Sequence, residues 1–402
     1  MRSVFTKTIW IVSFVSLFTD IASEMLYPVM PVYLRSIGFS VLLIGILEGI
    51  AEATAGLSKG YFGNLSDAIN KRVPFIRAGY SFSAISKPMM VLFINPVWIF
   101  FARTLDRFGK GLRTSARDAL LSEETTPGNK GKVFGFHRSM DTIGAAIGPG
   151  LALLFLLVYP GHYKPLFYFA FFPGIIAISL TFLLREKRKP VSEVTAGKTA
   201  KEKISFFSYL TYWKNAVPGY RLLVAGLLMF TFFNSSDAFL LLALKSKGFS
   251  DTGIIGFYIF FNLVYAFLAL PLGVLADKAG LFKTLLAGLL IFSCVYFLFG
   301  FADSVPAFGL LFLFYGIYYA ATEGISKALI SNMVNKAEVA TAIGFYNSFA
   351  SVFTLFASSM AGVLWYTIGP RAMFMISGAG VLCVVVFLAI MFGRNTRRVD
   401  SP

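Results

Sequence analysis

Long apolar stretches alternate with short polar segments along most of the chain. A helix that crosses a bilayer needs ~20 mainly apolar residues, and twelve stretches of about that length can be placed. They lie near residues 11–33, 39–60, 76–95, 97–119, 134–158, 165–184, 221–244, 252–275, 284–301, 305–333, 339–366 and 371–392. The pattern predicts an all-α membrane protein with twelve transmembrane helices embedded in a lipid bilayer.

The composition excludes an ordinary soluble domain, and the chain contains few residues of the types that usually bind metals. Of 402 residues, 57% are hydrophobic and 14% are charged, and the mean hydropathy is +0.73. Soluble domains average roughly 45–50% apolar and about 25% charged residues. Cys294 and Cys383 both lie in apolar stretches and the chain has 2 histidines, so we expect no metal site, no disulfide framework and no cofactor.

The chain carries a net charge of +16, which in a soluble protein would suggest a nucleic-acid partner. In a membrane protein, basic residues instead gather in cytoplasmic loops. With a cytoplasmic N-terminus, the inner segments hold Lys71, Arg72, Arg77, Lys130, Lys132, Lys278, Lys283, Lys336, Arg394, Arg397 and Arg398. The outer loops hold little beyond Arg35, Lys164, Lys245, Lys247 and Arg371. We predict a multi-pass protein of a bacterial inner membrane, with both termini cytoplasmic and no nucleic-acid partner.

One long polar segment divides the chain. Residues 185–220 begin with a lysine-rich stretch and are expected to form a basic cytoplasmic linker, with an amphipathic surface helix near Ile204–Trp213. The division predicts an N-terminal six-helix bundle over residues 1–184. A C-terminal six-helix bundle with a cytoplasmic tail is expected over residues 221–402.

Short internal matches support two related halves. Three patterns recur with an offset of 210 or 209 residues. They are Gly38-Phe39-Ser40 with Gly248-Phe249-Ser250, Gly63-x-Leu65-x-Asp67 with Gly273-x-Leu275-x-Asp277, and Gly135-Phe136-x-x-Ser139 with Gly344-Phe345-x-x-Ser348. Parallel repeats of this kind are a transporter architecture.

The segments GNLSDAINKR and GVLADKAGLFK, which begin at Gly63 and Gly273, resemble the loop motif G-x-L-x-D-R-x-G-R-K of the major facilitator superfamily. The first copy departs from the motif at Ala68 and Asn70. The stretches FTDIASEMLYPVMP, DRFGKGLRTSARDALL and GFHRSMDTIGAAIGP look like those of bacterial permeases of this superfamily. The resemblance implies two pseudo-symmetric six-helix bundles that alternate access to a central cavity, and it fixes no substrate.

Gly144-x-x-x-Gly148-Pro149 in the fifth span resembles the first half of the superfamily's antiporter motif, whose closing glycine pair is replaced by Ala152 and Leu153. This partial match favours export. Small residues that let two helices approach closely explain the same pattern equally well.

Ionisable residues inside a membrane are costly and usually functional. Asp20 and Glu24 in the first span, and Glu48 and Glu52 in the second, stand one turn apart, and we assign them as candidates for proton coupling. In the fourth span, at about 100° per residue, basic and acidic side chains fall on one stripe. Its members are Arg103, Asp106, Arg107, Lys110, Arg113 and Arg117.

We expect Arg103, Arg107 and Lys110 to contact the substrate. The second half offers further substrate candidates, namely Asn234, Asp237, Asn262, Glu323, Lys327 and Asn347. Its aromatic residues are interpreted as an apolar cavity wall or as lipid-facing side chains. They include Phe257, Tyr258, Phe261, Tyr265, Tyr315, Tyr318 and Tyr319.

Motif residues and charges near the inner surface are expected to form the gate. The gate set is Gly63, Asp67, Arg72, Arg113, Arg117, Arg138, Asp141, Gly273, Asp277 and Lys278. For the charges nearest the inner surface, a purely structural role as ion pairs is the competing interpretation.

The leading hypothesis is a monomeric, proton-coupled secondary transporter of a small organic solute, with export favoured. Proton-coupled uptake of an anionic metabolite or chelate is the alternative. A non-transporting membrane sensor or assembly partner is the alternative of a different class. No nucleotide loop or nucleophile motif occurs in the sequence, so we expect no enzymatic activity.

Overall fold

The computed structural model describes residues 4–186 and 205–399, without the side chains of residues 41–42, 251–252 and 393–399. Over these ranges the chain forms helices, turns and loops and no strand. Residues 187–204, half of the predicted basic linker, lie outside the described residues.

The described part of the first half contains seven α-helices. They are α1 (Lys7–Leu26), α2 (Met30–Ser36), α3 (Val41–Ala68), α4 (Val73–Leu92), α5 (Pro96–Glu123), α6 (Lys130–Val158) and α7 (Tyr163–Thr181). The described residues after the linker gap form the single α-helical turn α8 (Tyr212–Asn215) and seven further α-helices. They are α9 (Pro218–Phe233), α10 (Ala238–Ser246), α11 (Asp251–Ala279), α12 (Leu281–Phe299), α13 (Val305–Met333), α14 (Val339–Ile368) and α15 (Pro370–Val399).

The prediction of an all-α membrane fold with twelve spans is confirmed. The pairs α1–α2 and α9–α10 each form one span in two pieces, and the other long helices complete the twelve. Within the described ranges, nine spans are long and apolar enough to cross a membrane on composition alone. The remaining three, α3, α4 and α5, are more polar because they carry the charged residues of the first half.

Both broken spans are interrupted at equivalent places in the repeat. The α1–α2 break lies at Pro28, where the missing amide donor of proline loosens the helix. The α9–α10 break spans Asn234 to Asp237, where the sequence predicted a continuous helix. Short polar side chains compete with the helix for backbone hydrogen bonds, which accounts for this second break.

The first repeated motif joins two helices in each half. Gly38 and Gly248 adopt left-handed backbone conformations with φ of 97° and 85°, which glycine accepts without strain. Two residues later, the Ser40 hydroxyl accepts a bond from Leu43 N at 3.1 Å, and Ser250 accepts one from Gly253 N at 3.2 Å. The motif therefore ends one helix and caps the next.

The loop motif lies on a helix rather than in a loop. The second span was predicted to end near residue 60, whereas α3 continues to Ala68 and carries Gly63 and Asp67 on its last turns. The helix extends because these residues pack against other helices, which the apolar pattern does not show.

The chain folds into two compact units that do not coincide with the two sequence halves. The first unit combines most of the first half with residues 334–348, and the second combines most of the second half with residues 127–142. The beginning of α14 therefore packs with helices of the first half, and the beginning of α6 packs with helices of the second.

Within the first unit, the end of the linker packs against α3 and α14. The Tyr209 ring covers Gly60, and its hydroxyl lies 3.2 Å from that of Ser348. Trp213 stacks on Phe345 with ring centroids 5.6 Å apart.

The described part of the predicted amphipathic surface helix is instead a 3-10 turn, Ser208–Thr211, followed by α8, and Ile204 lies outside the described residues. The Tyr209 and Trp213 side chains of this segment pack against α3 and α14.

Candidate functional site

A network of buried charges joins α3, α4 and α5 in the first unit. Arg103 donates to both carboxylate oxygens of Glu48, at 2.9 and 2.8 Å. The same guanidinium lies 3.3 Å from Asp106, which in turn lies 3.5 Å from the Lys87 ammonium. Removing Asp106 would leave the buried Lys87 ammonium without its acid, and an unpaired buried charge is strongly destabilising.

Lys87 is the member that the sequence analysis missed. Its side chain is only 3% exposed, and its ammonium also donates to the Ser83 carbonyl at 2.9 Å. A lone lysine inside an apolar run was a usable signal, because an intramembrane base needs a partner.

A second group of charges lies one turn farther along α5. Arg107 pairs with Glu52 at 3.3 Å, with side chains 12% and 56% exposed. Lys110, which is exposed, interacts electrostatically with Glu52, Glu24 and Asp20. The structure thus brings the predicted acids of α1 and α3 together with the bases of α5. We call Asp20, Glu24, Glu52, Arg107 and Lys110 the charged face of the first unit, and the side chains of Glu52 and Lys110 are its most exposed members.

The glycines of the partial antiporter motif fix α6 closely against α1 at these acids. A Cβ atom at Gly144 would lie 2.5 Å from the Leu17 carbonyl oxygen and 3.1 Å from Asp20 Cβ. A Cβ atom at Gly148 would lie 2.7 Å from the Ile21 carbonyl oxygen. Glycine at both positions is required for this helix contact, which sets the position of Asp20 and Glu24.

Arg113 and Arg117, two gate candidates, lie inside the first unit. Arg113 donates to the Ser83 hydroxyl at 2.6 Å and lies over the Tyr80 ring at 4.5 Å. Arg117 bonds Asp118 and the Ser16 hydroxyl, each at 3.0 Å. Both arginines therefore hold α5 against neighbouring helices of the same unit.

The second unit has its own charged group on α6 and α13. Arg138 pairs with Asp141 at 2.5 Å and also bonds Glu323. Lys327 lies 3.9 Å from the same Glu323 carboxylate. Two gate candidates and two substrate candidates from distant parts of the sequence therefore form one ion-pair group.

Tyrosines of the second unit bond to the polar residues of the α9–α10 break. Asn234 donates to the Tyr318 hydroxyl at 3.2 Å, and Ser235 lies 3.1 Å from the Tyr296 hydroxyl. Tyr315 and Tyr319 both donate to the Asp237 carboxylate.

A cavity wall that includes Tyr315, Tyr318 and Tyr319 stays a prediction, but these side chains are not purely apolar, because they bond to polar residues of the break. Their hydroxyl groups point inward and satisfy a helix break that would otherwise leave polar groups unpaired.

The two remaining asparagine candidates differ in their contacts. The Asn262 amide donates to the Tyr258 carbonyl one turn earlier, at 2.9 Å, and its side chain is buried. Asn347 is partly buried on α14 and belongs to the first unit.

Asp67 links the two sequence halves within the first unit. Its carboxylate accepts bonds from the Thr341 backbone N–H at 2.6 Å and hydroxyl at 2.7 Å, near the start of α14. Arg72 lies 2.5 Å from Asp67 and 3.1 Å from Glu123. Burial alone would lower the pKa of Arg72, but these two carboxylates raise it above its ordinary value.

Asp277 makes the equivalent contact in the second unit. Its carboxylate accepts bonds from Gly131 N at 2.8 Å and Lys132 N at 2.7 Å, at the start of α6. Lys278 is exposed beside it. Each motif acid therefore caps a helix that belongs to the other sequence half.

The motif glycines permit the same contacts. A Cβ atom at Gly63 would collide with the Ala340 carbonyl group, and one at Gly273 would collide with the Gly131 carbonyl group. The residues of the two contacts are separated by the same offset, 210 or 209 residues, as the repeated motifs. The two halves therefore repeat these interactions as well as the sequence patterns.

Comparison with known proteins agrees with this architecture. The family model described as Major Facilitator Superfamily matches residues 12–263 and 247–402. An uncharacterized MFS-type transporter of Methanocaldococcus jannaschii is 30% identical over 393 residues, which cover 96% of this chain and 95% of that protein. The quinolone resistance protein NorA of Staphylococcus aureus is 24% identical over 191 residues, 48% of each chain.

Among solved structures, the fucose:proton symporter FucP of E. coli shares the fold with a TM-score of 0.74, at 12% identity. The superposition covers 95% of this chain and 98% of that one. With a family model across its length and a full-length transporter relative, this chain belongs to the Major Facilitator Superfamily.

Proposed function

We propose that this transporter is a proton-linked secondary carrier of a small organic solute, located in a bacterial inner membrane with both termini in the cytoplasm. The observation that carries the proposal is the charged face of the first unit. There, the exposed side chains of Glu52 and Lys110 interact with Asp20, Glu24 and Arg107. Such an array of acids and bases within spanning helices can exchange protons and hold a polar solute.

The helix caps made by Asp67 and Asp277 support alternating access. Beside each cap, the two helices are so close that only glycine fits at the contact point. A small separation of the helices therefore breaks the contact completely. Contacts of this kind favour two discrete states over a continuous range of positions. We expect the two acids to control the rate of the switch rather than the affinity for the solute.

Export is the favoured direction. Gly144 and Gly148 of the partial antiporter motif place α6 against the acids of α1, and a partial relative is a quinolone resistance protein. Uptake of an anionic solute is the alternative, favoured by the exposed Lys110 ammonium. A non-transporting sensor would have no need for a solvent-accessible array of acids and bases beside a breakable gate.

Reconstitution tests the proposal directly. Purified protein is first screened by thermal shift against metabolites and drugs, and compounds that stabilise it are then used in flux measurements with proteoliposomes. Solute movement driven by an imposed proton gradient supports the proposal. Binding without any solute or proton flux would instead favour the sensor.

We expect the acids of α1 to couple transport to protons. The variants Asp20→Asn and Glu24→Gln should lose gradient-driven accumulation yet keep exchange of solute across the membrane, because exchange need not release the proton. Arg107→Gln should weaken solute binding, most strongly for an anion. Accumulation and counterflow are measured in the same vesicles, and full accumulation by both acid variants would assign these acids a structural role.

The orientation gives an independent prediction. In a cysteine-free background, a cysteine at Ser304, in the short connection before α13, should react with an impermeant maleimide added to intact cells. A cysteine at Lys336, before α14, should react only after the membrane is opened. Both native side chains are exposed, so burial does not bias the comparison. The opposite labelling pattern would invert the proposed topology.

A further inference from the structure

We propose that Asp237 is a second protonation site, separate from the charged face of the first unit, in which Tyr315 and Tyr319 take the place of a basic partner. The inference deepens the proposed function and rests on it for the use of that proton in transport. Binding of the proton itself can be tested without a solute.

Asp237 lies where a membrane span is interrupted. It is the last residue of the α9–α10 break, and its side chain is partly buried. It precedes α10 but makes no side-chain cap bond to that helix. The carboxylate is therefore not committed to holding the helix end.

Two tyrosines of α13 are the hydrogen-bond donors to Asp237. Tyr315 Oη donates at 2.6 Å and Tyr319 Oη at 2.9 Å to the same carboxylate oxygen, Oδ1. A short bond from a hydroxyl group suits an ionised carboxylate. After proton uptake, the carboxyl group can itself donate to a tyrosine oxygen, since a hydroxyl accepts as well as donates. The pair of tyrosines can satisfy Asp237 in both protonation states.

Other acids in spanning helices differ from Asp237 in their partners. Asp106, Asp141 and Glu323 each pair with a lysine or arginine, so protonating any of them would break at least one ion pair. In the described parts of the chain, Asp237 has no basic side chain within ion-pair distance. Taking up a proton there removes a charge and breaks no ion pair.

Tyrosines surround Asp237 on the neighbouring helices. Among the described residues, the titratable groups that face Asp237 are phenols: Tyr296 on α12, and Tyr315 and Tyr319 on α13. Tyr315 is 1% exposed and Tyr296 is 0% exposed. A partly buried carboxylate among phenols has no counterion for its charge, and protonation removes that cost.

The experiment is infrared difference spectroscopy of the full-length protein in lipid bilayers, exchanged between mildly alkaline and mildly acidic buffer. The wild type should show the C=O band of a protonated carboxyl group on acidification. Asp237→Asn should lose that band, whereas Asp303→Asn should keep it, because Asp303 is an exposed acid paired with Lys247. Tyr319→Phe should keep the band but move it to higher frequency, since one hydrogen bond is lost.

Two results would overturn the inference: an unchanged acid-induced band in Asp237→Asn, or an unchanged band position in Tyr319→Phe. The second variant retains the acid, so it still decides the matter if Asp237→Asn folds poorly. The outcome is separate from the proposed function. If Asp237→Asn loses the band but the wild type shows no solute flux, the protonation site is supported and the proposed transport function is rejected. If the wild type transports solute but Asp237→Asn keeps the band, the transport function is supported and the protonation site is rejected.

Discussion

Replacing Gly63 by alanine should destabilise the state in which α3 packs against the start of α14. The equilibrium constant between this packed state and a separated state should change by roughly 5- to 150-fold, because overpacking a close contact costs about 1–3 kcal/mol. The added methyl group would collide with the Ala340 carbonyl group at the start of α14. A backbone carbonyl has no rotamer with which to move aside, so the helices must separate. Gly273→Ala should act in the same direction through Gly131.

Spin labels on the exposed Lys71 and Lys336 positions provide a measurement that needs no solute. Double electron–electron resonance should report longer distances in Gly63→Ala than in the wild type. Gly49→Ala is the matched control, because it lies on the same helix and a Cβ atom there meets no atom within 4 Å. Identical distance distributions in Gly63→Ala and Gly49→Ala would remove the steric argument for the gate.

Asp106→Ala should lower the free energy of unfolding by about 3–5 kcal/mol, as expected when one partner of a buried ion pair is removed. Lys87 would then remain buried near Arg103 and Arg113 with no acid between them. The like charges would repel, and the lysine would lose its counterion. Denaturant unfolding in mixed micelles measures the loss.

Two controls isolate the role of burial in this loss. Asp303→Ala breaks an ion pair whose side chains are 45% and 73% exposed, and should cost only about 0–1 kcal/mol. The double variant Lys87→Met with Asp106→Leu replaces both charges and should be more stable than Asp106→Ala alone. A double variant as unstable as the single variant would show that packing, not charge, dominates this site.

The number of spans and the repeat could be predicted from the sequence because each depends on local pattern. Twelve apolar stretches become twelve spans, and the repeated glycines, serines and acids lie at equivalent places. The Pro28 break was also predictable, since proline removes a backbone donor. The α9–α10 break has no proline, and only its run of short polar residues indicated it.

Side-chain pairing could not be predicted in the same way. Glu48 and Glu52 stand one turn apart on α3, yet each pairs with a different arginine of α5, which depends on the rotation of both helices. The tyrosines of α13 gave an apolar pattern, and only the packing of α13 against the break shows their hydroxyl groups bonding to Asp237. Lys87 was missed because a single base barely changes the hydropathy of its span.

The exchange of helix caps between the halves has the form of an isologous dimer interface. In a two-fold dimer, a residue of one protomer contacts a residue of the other, and the same contact occurs again in reverse. Asp67 with α14 and Asp277 with α6 reproduce that reciprocity inside one chain. In a true homodimer one substitution alters both contacts, whereas a fused chain can alter one and keep the other. Asn70 and Gly280 are an example, because they occupy equivalent positions of the repeat. Both have a left-handed backbone, with φ of 51° and 104°, but one half uses asparagine and the other glycine.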